Sequence, residues 1–257
     1  MSSSQNLIAL HTLVRREVVR IMRIWTQTLI PPAITMTLYF VIFGKLIGGR
    51  IGEMHGFTYM QYIVPGLVMM SIITNSYGNI SSSFFGAKFS RAVEEMLVSP
   101  MPNWVILLGY VAGAVLRGLI VGVLVLCIAL FFTDLHVAHP LITLGSVLMG
   151  ATVFSLAGFV NAVYAKKFDD IALVPTFVLT PLTYLGGVFY SVDLLSQPWR
   201  SISMANPILY MVNAFRFGVL GVSDVNIYVA FGVMSLFVLG LGGLGLYLLR
   251  KGVGLRS

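Results

Sequence analysis

AKFSRAVEEMLVSPMPN, Ala87 to Asn103, is the one place where several charges gather inside a long apolar middle, and it stands between two extended apolar segments. Within it Phe89, Val93, Met96 and Leu97 recur at helical spacing, Arg91, Glu94 and Glu95 fall on other faces, and Pro100 and Pro102 stop the helix. The pattern predicts a short amphipathic helix between two spans, a natural docking knob for a partner. A solvated connecting loop fits the same letters.

Either reading requires flanks that cross a membrane, and composition agrees. With 257 residues, 58% hydrophobic and 10% charged, the chain has too few polar side chains to clothe a soluble globule. The expected class is therefore an all-α membrane protein, a single transmembrane domain over residues 1–257. A net charge of +7 without any nucleic-acid motif is explained by basic residues that flank the apolar runs. Cys127, inside an apolar run, is the single cysteine, which excludes an intrachain disulfide framework and a cysteine metal site. There is no Walker-type G-x-x-x-x-G-K-[ST], no G-x-S-x-G and no H-E-x-x-H, and His11, His55, His136 and His139 all lie outside the apolar runs. No catalytic residue and no metal ligand is assigned, and any nucleotide is bound by another chain.

Upstream of the quoted stretch, residues 57–86 form an expected span with Tyr59 and Tyr62 at an aromatic belt and Pro65 as a kink. Asn75, Asn79, Ser82 and Gly86 follow at steps of three and four, so they share a face that should look at protein or water. Lys45 to Glu53 is a loop, and residues 25–47 are the first span. Residues 1–24 hold an interfacial helix: Leu7, Leu10, Val14, Val18 and Ile21 lie on one face and Arg16, Arg20 and Arg23 on another, with Arg15 beside them. A signal peptide fits less well, because the following run is too long, contains Pro31-Pro32 and lacks a small-x-small cleavage site.

Downstream, residues 104–132 form a span with Arg117 near its middle. An arginine at that depth should face the bundle interior, either paired with Asp169 or Asp170 or touching an anionic substrate head group, the acid pairing being favoured. Residues 141–165 follow, with a small-residue packing stripe of Ala151, Ser155, Gly158 and Ala162. Asp169 and Asp170 suit the positive end of the next helix dipole, and residues 171–190 form a fifth span broken by Pro175 and Pro181. Thr176, Thr180 and Thr183 sit on one side of it, Phe177 and Tyr184 on another. Residues 191–225 are too apolar for an ordinary loop and too broken to span; short re-entrant or interfacial helices are expected, one capped by Asn206-Pro207. Residues 227–249 are the last span.

Lys and Arg divide 11 to 4 between the two sides, with Arg117 intramembrane; Arg216 is counted on the poorer, outer side and Arg256 on the richer one. By the positive-inside rule both termini and the loop 87–103 are cytoplasmic.

This ensemble resembles the permease subunit of an ABC-2 type ABC transporter. FSRAVEEMLVSPMP (Phe89–Pro102) is similar to that family's first-loop coupling helix. PLTYLGGVFYSVDLLSQPW, continuing through NPILYMVNAFR to Arg216, is similar to its pattern of Gly-Gly turn, outer hairpin, Asn-Pro and following Arg. The resemblance implies a homodimer in a bacterial inner membrane, two separate ATP-binding subunits that bring ATP and Mg, and export by alternating access. It places Phe89, Arg91, Glu94, Glu95, Met96 and Leu97 at the ATPase contact, with Lys166 to Asp170 as a second cytoplasmic contact. The substrate path is read on spans two and five: Asn75, Asn79, Ser82, Thr176, Thr180 and Tyr184. These are hydroxyls and amides without acids, which suits an amphipathic, lipid-like, glycan-linked or drug-like substrate; bonding between helices is the plainer role for any one of them. An ATP-independent channel or secondary transporter is the alternative, disfavoured because all nine acids, Glu17 among them, are read in loops or at span ends. A membrane enzyme lacks a recognisable nucleophile, base or metal cluster.

Overall fold

A computed structural model of the chain describes residues 3–254, so Arg256 lies outside the described residues. Apart from two short strands the elements are helical. They are α1 (Ser3–Arg23), α2 (Trp25–Tyr39) continuing through a π-helical stretch (Phe40–Ile47) into α3 (Gly48–Ile51), β1 (Glu53–Met54), β2 (Phe57–Thr58), α4 (Tyr59–Phe89), α5 (Ala92–Val98), α6 (Asn103–Ala129) and α7 (Pro140–Tyr164). There follow α8 (Phe168–Val174), a π-helical stretch (Pro175–Leu179), α9 (Thr180–Tyr184), a 3-10 turn (Val192–Leu194), α10 (Trp199–Met204), α11 (Pro207–Leu220) and α12 (Ile227–Lys251). Among the described residues, four helical runs are long and apolar enough to cross a membrane: Trp25–Ile51, Asn103–Ala129, Pro140–Tyr164 and Ile227–Lys251.

The 31-residue α4 is the axis of the bundle, packed chiefly against α6 and α7. Its serines, asparagines and glycines dilute its hydropathy, yet most of its surface is inside the protein. It begins at Tyr59 rather than at residue 57 because Met54 and Phe57 pair in a hairpin, whose His55 and Gly56 take the left-handed conformations of a tight turn. Thr58 then closes a capping box with Gln61.

In lipid, helices gain little from apolarity and pack through small residues. The expected stripe does this: Ala151, Ser155 and Ala162 are buried, and a Cβ on Gly158 would stand 2.7 Å from the Tyr77 carbonyl oxygen of α4.

The fifth apolar segment runs as helix from Phe168 to Tyr184 in three pieces and stops short of residue 190. Gly187, at φ +69°, turns the chain where a side-chain-bearing residue would be strained. After that turn, Asn206 caps α11: its Oδ1 accepts from the Ile208 amide at 2.9 Å, and its Nδ2 donates to the Leu182 carbonyl at 2.5 Å. With 14 residues α11 is too short to cross, and it lies against α4, α7 and α12 with most of its surface buried.

Candidate functional site

The chain folds the first-loop stretch differently from the single helix that its spacing suggests. Residues through Phe89 complete α4, and Arg91 at φ +62° breaks the chain before α5 begins at Ala92. Phe89 and Val93 therefore do not share a helix face. Val93 turns inward at 1% exposure, and Met96 and Leu97 pack half-buried against the same core, which includes Phe84, Phe85, Ile106 and Phe159. What remains outside is Phe89 at 68%, Val98 at 88%, Arg91 and Glu95, with Glu94 half-buried. The outward face is thus aromatic and charged rather than the Met96/Leu97 face.

Phe89 also joins this loop to the next one. Its ring centroid is 5.3 Å from that of Phe168, and Phe85 meets Phe168 edge-on at 4.9 Å. Beside them Lys88 Nζ donates to the Val163 and Ala165 carbonyls at 2.6 and 2.7 Å, capping the end of α7. At the start of α8, Asp170 Oδ2 accepts from the Lys166 and Lys167 amides at 2.8 and 2.9 Å, and these bonds hold its carboxyl below the usual carboxylate range. A groove of about 450 Å³ runs along this seam, lined by Phe89, Arg91, Glu94, Tyr164 and Lys166 among others.

Because Asp170 is committed to its cap, it is not the partner of Arg117, and Asp169 makes no ion pair with it either. Arg117 instead donates to Asn79 Oδ1 at 3.5 Å, an oxygen that Arg20 Nη2 already holds at 2.7 Å. Its Nε is buried without a partner. Asn79 is correspondingly closed off inside the bundle, not open on a path face.

The acid of this cluster comes from an unexpected place. Glu17, read as lying at a span end, is 1% exposed: its carboxylate accepts from Ser83 Oγ at 2.8 and 2.7 Å and from Arg20 at 3.0 and 3.3 Å. Arg16 reaches it at 3.4 Å while donating to Tyr110 Oη at 2.5 Å. α1 accordingly buries Leu13, Glu17 and Ile21 against α6 and leaves Leu7 exposed, a rotation from the apolar face that spacing predicts. The reason lies on α6, where Gly109 and Gly113 open a groove; a Cβ on Gly109 would meet Leu13 Cβ at 2.8 Å, and one on Gly113 would collide with Glu17. Gly109, Gly113 and Arg117 in four-residue steps are the sequence signal that could have located this docking.

Of the remaining path residues, Ser82 is exposed and Asn75 half-exposed on the open side of α4, beside Thr74 and Gly78. Each bonds only its own helix: Ser82 Oγ to Gly78 O at 2.8 Å and Asn75 Nδ2 to Ser71 O at 3.0 Å. Thr176 and Thr180 are exposed, whereas Thr183 is buried. Tyr184 approaches Tyr39, hydroxyl to hydroxyl, at 3.3 Å and stacks near Phe189, tying the fifth segment to the first.

At the opposite end Arg216, counted among outer aqueous charges, is 0% exposed. It lies over the Tyr62 ring at 4.0 Å and donates to the Gly187 and Tyr62 carbonyls at 2.6 and 3.3 Å. His55, Asp193 and Asp224 place donor atoms within 4.8 Å of one another nearby. Asp193 is already paired with Arg200 at 2.9 Å and Asp224 accepts from the Val192 amide at 2.9 Å, so the group reads as a clasp between loops.

Comparison with known proteins matches residues 8–220 to the ABC-2 type transporter family. The chain is 57% identical over 250 residues to the inner membrane transport permease YadH of Escherichia coli (strain K12), covering 97% of this chain and 98% of that one. It is also 23% identical over 202 residues to nodulation protein J of Rhizobium leguminosarum bv. viciae, 78% of each chain. Nodulation protein J of Rhizobium meliloti (strain 1021) is 25% identical over 206 residues, 78% of this chain and 77% of that one. The family-wide match and the near full-length similarity agree with the helical bundle: the chain belongs to the ABC-2 type transporter family.

Proposed function

We propose that the chain is the permease subunit of an ATP-driven exporter of the bacterial inner membrane, working as a homodimer with two separate ATP-binding subunits. Its spans are α2 with its continuation, α4, α6, α7, the broken α8 to α9 segment and α12; α10 and α11 form the re-entrant outer element, and both termini are cytoplasmic. The observation that carries the reading is the meeting of two loops at one end, where Phe89 and Phe168 are both exposed and 5.3 Å apart. An ATPase that grips this seam acts at once on the ends of α4 and α8, and its ATP-driven dimerisation moves both. ATP and Mg stay on that subunit.

The substrate reading rests on the open side of α4. Thr74, Asn75, Gly78 and Ser82 are a polar stripe on a helix that is largely buried, and lipid tolerates such a face poorly. Set against its dimer mate, and with Thr176 and Thr180 exposed on the fifth segment, the stripe suits an amphipathic or glycan-linked substrate and alternating access. A stand-alone channel or secondary transporter gains one supporting observation, the buried acid Glu17. That carboxylate is occupied by Ser83 and two arginines, an arrangement that suits a fixed ion pair better than a proton carrier.

Purification of the tagged chain from its native membrane in mild detergent, with mass spectrometry of what stays bound, tests the proposal. A cassette ATPase should follow the wild type and be lost from Phe89→Ala/Glu95→Arg. Absence of any ATPase from the wild type overturns the reading and leaves the ATP-independent alternative.

A further inference from the structure

The cavity between α1 and the loop end of α4 has a ligand chemistry of its own. It measures about 720 Å³ and is lined by Arg15, Arg16, Arg20 and Arg23, with Ser82 and Ser90 opposite. The acid among its walls, Glu17, directs both oxygens to Ser83, Arg16 and Arg20. Arg15 and Arg23 have no ion pair or hydrogen bond among the described residues. Immediately inside, Arg20 and Arg117 share the single amide oxygen of Asn79, and Arg117 Nε has no acceptor. Positive charge in this corner exceeds what the protein neutralises, and the guanidinium fork matches phosphate oxygens.

We infer that this cavity binds the phosphate headgroup of an anionic membrane lipid. The apolar part of its wall favours a lipid over a soluble phosphate. Val19, Ile24 and Ala87 line the cavity, and α2 continues from Ile24 with Trp25, Ile30, Ile34 and Leu38 exposed, a surface for acyl chains beside a headgroup site. The ordered guanidiniums are Arg16, held by Tyr110, and Arg20, held by Glu17 and Asn79; the unpartnered Arg15 and Arg23 complete the grip from the rim. Assignment to the cytoplasmic leaflet rests on the orientation proposed above, whereas the binding itself does not.

The test reconstitutes the full chain into nanodiscs of phosphatidylcholine mixed with phosphatidylglycerol and counts lipids retained per chain by native mass spectrometry. Wild type should retain phosphatidylglycerol selectively, and Arg15→Gln/Arg23→Gln should weaken that retention roughly tenfold, since each arginine near an anionic surface contributes substantially. Arg250→Gln/Lys251→Gln, which removes the same charge from the exposed end of α12, should retain it unchanged and shows that net charge is not the cause. A parallel arm adds millimolar inorganic phosphate, which should displace little lipid. Equal retention by wild type and the Arg15/Arg23 variant overturns the site. Displacement by inorganic phosphate overturns the lipid and assigns a soluble anion.

Discussion

Arg117 and Arg216 both lie within the helical bundle, and they are held in opposite ways. Arg216 lies flat over the Tyr62 ring and donates to two backbone carbonyls, one on α4 and one in the Gly187 turn. Its acceptors are main-chain atoms that move only if the fold moves, so it pins the Gly187 turn to α4. Arg117 has one long bond to a side-chain oxygen that Arg20 holds more tightly, and Arg20 is in turn paired with Glu17 of α1. The first arginine is a fixed clasp; the second belongs to a cluster of side chains that can exchange partners. Within one bundle, one end is fixed to the backbone, and the exchangeable end lies on the side of the α1 arginines.

Glu17 holds the exchangeable cluster together. Glu17→Leu leaves Ser83 without its acceptor and Arg16 and Arg20, both partly open to solvent, without their carboxylate, and should destabilise the detergent-solubilised chain by about 1–3 kcal/mol, read as a fall in the unfolding midpoint. A midpoint within error of wild type would mean that the cluster is not structural. Arg216→Met tests the other end: with the Gly187 carbonyl left without its donor, the loss should be about 1–3 kcal/mol, together with faster proteolysis between residues 185 and 206. Gly113→Val, which drives a Cβ into Glu17, should cost about 1–3 kcal/mol and release α1 to protease while leaving the Arg216 end intact. If α1 stays protected, the α6 groove is not what seats it.

Half of this contrast is legible in the sequence and half is not. Arg117 announces itself, because an arginine in the middle of an apolar run must turn inward. Its partner does not, since Asp169 and Asp170 are near in sequence order but Asp170 is claimed by the Lys166 and Lys167 amides. Glu17 is hidden among arginines on a helix whose spacing favours another face; only the glycines of α6 decide the rotation. Arg216 hides because its surroundings, NPILYMVNAFR, resemble a loop helix, and its acceptors are carbonyls that carry no side-chain signal. The first loop illustrates a further limit. Spacing from Phe89 to Leu97 gives a helical period, but a left-handed Arg91 splits that period and sends Val93 and Phe89 to opposite sides.

The smallest expected effect concerns pH at Asp170. Its folded pKa is depressed by the two amides, so its contribution is present above the unfolded value of about 3.9 and is lost as pH falls through the lower folded value. Hydrogen exchange at the Lys166 and Lys167 amides should stay slow to a pH below the usual aspartate range in wild type. Asp170→Asn should exchange faster at every pH.

Photo-crosslinking from positions 89 and 168 in native membranes decides whether one seam of two loops receives a separate ATPase. Both positions should capture the same ATP-binding subunit, and a third probe at exposed Tyr228 should capture none. Capture from Tyr228 alone, or no capture from either loop while the chain remains intact, would contradict the account.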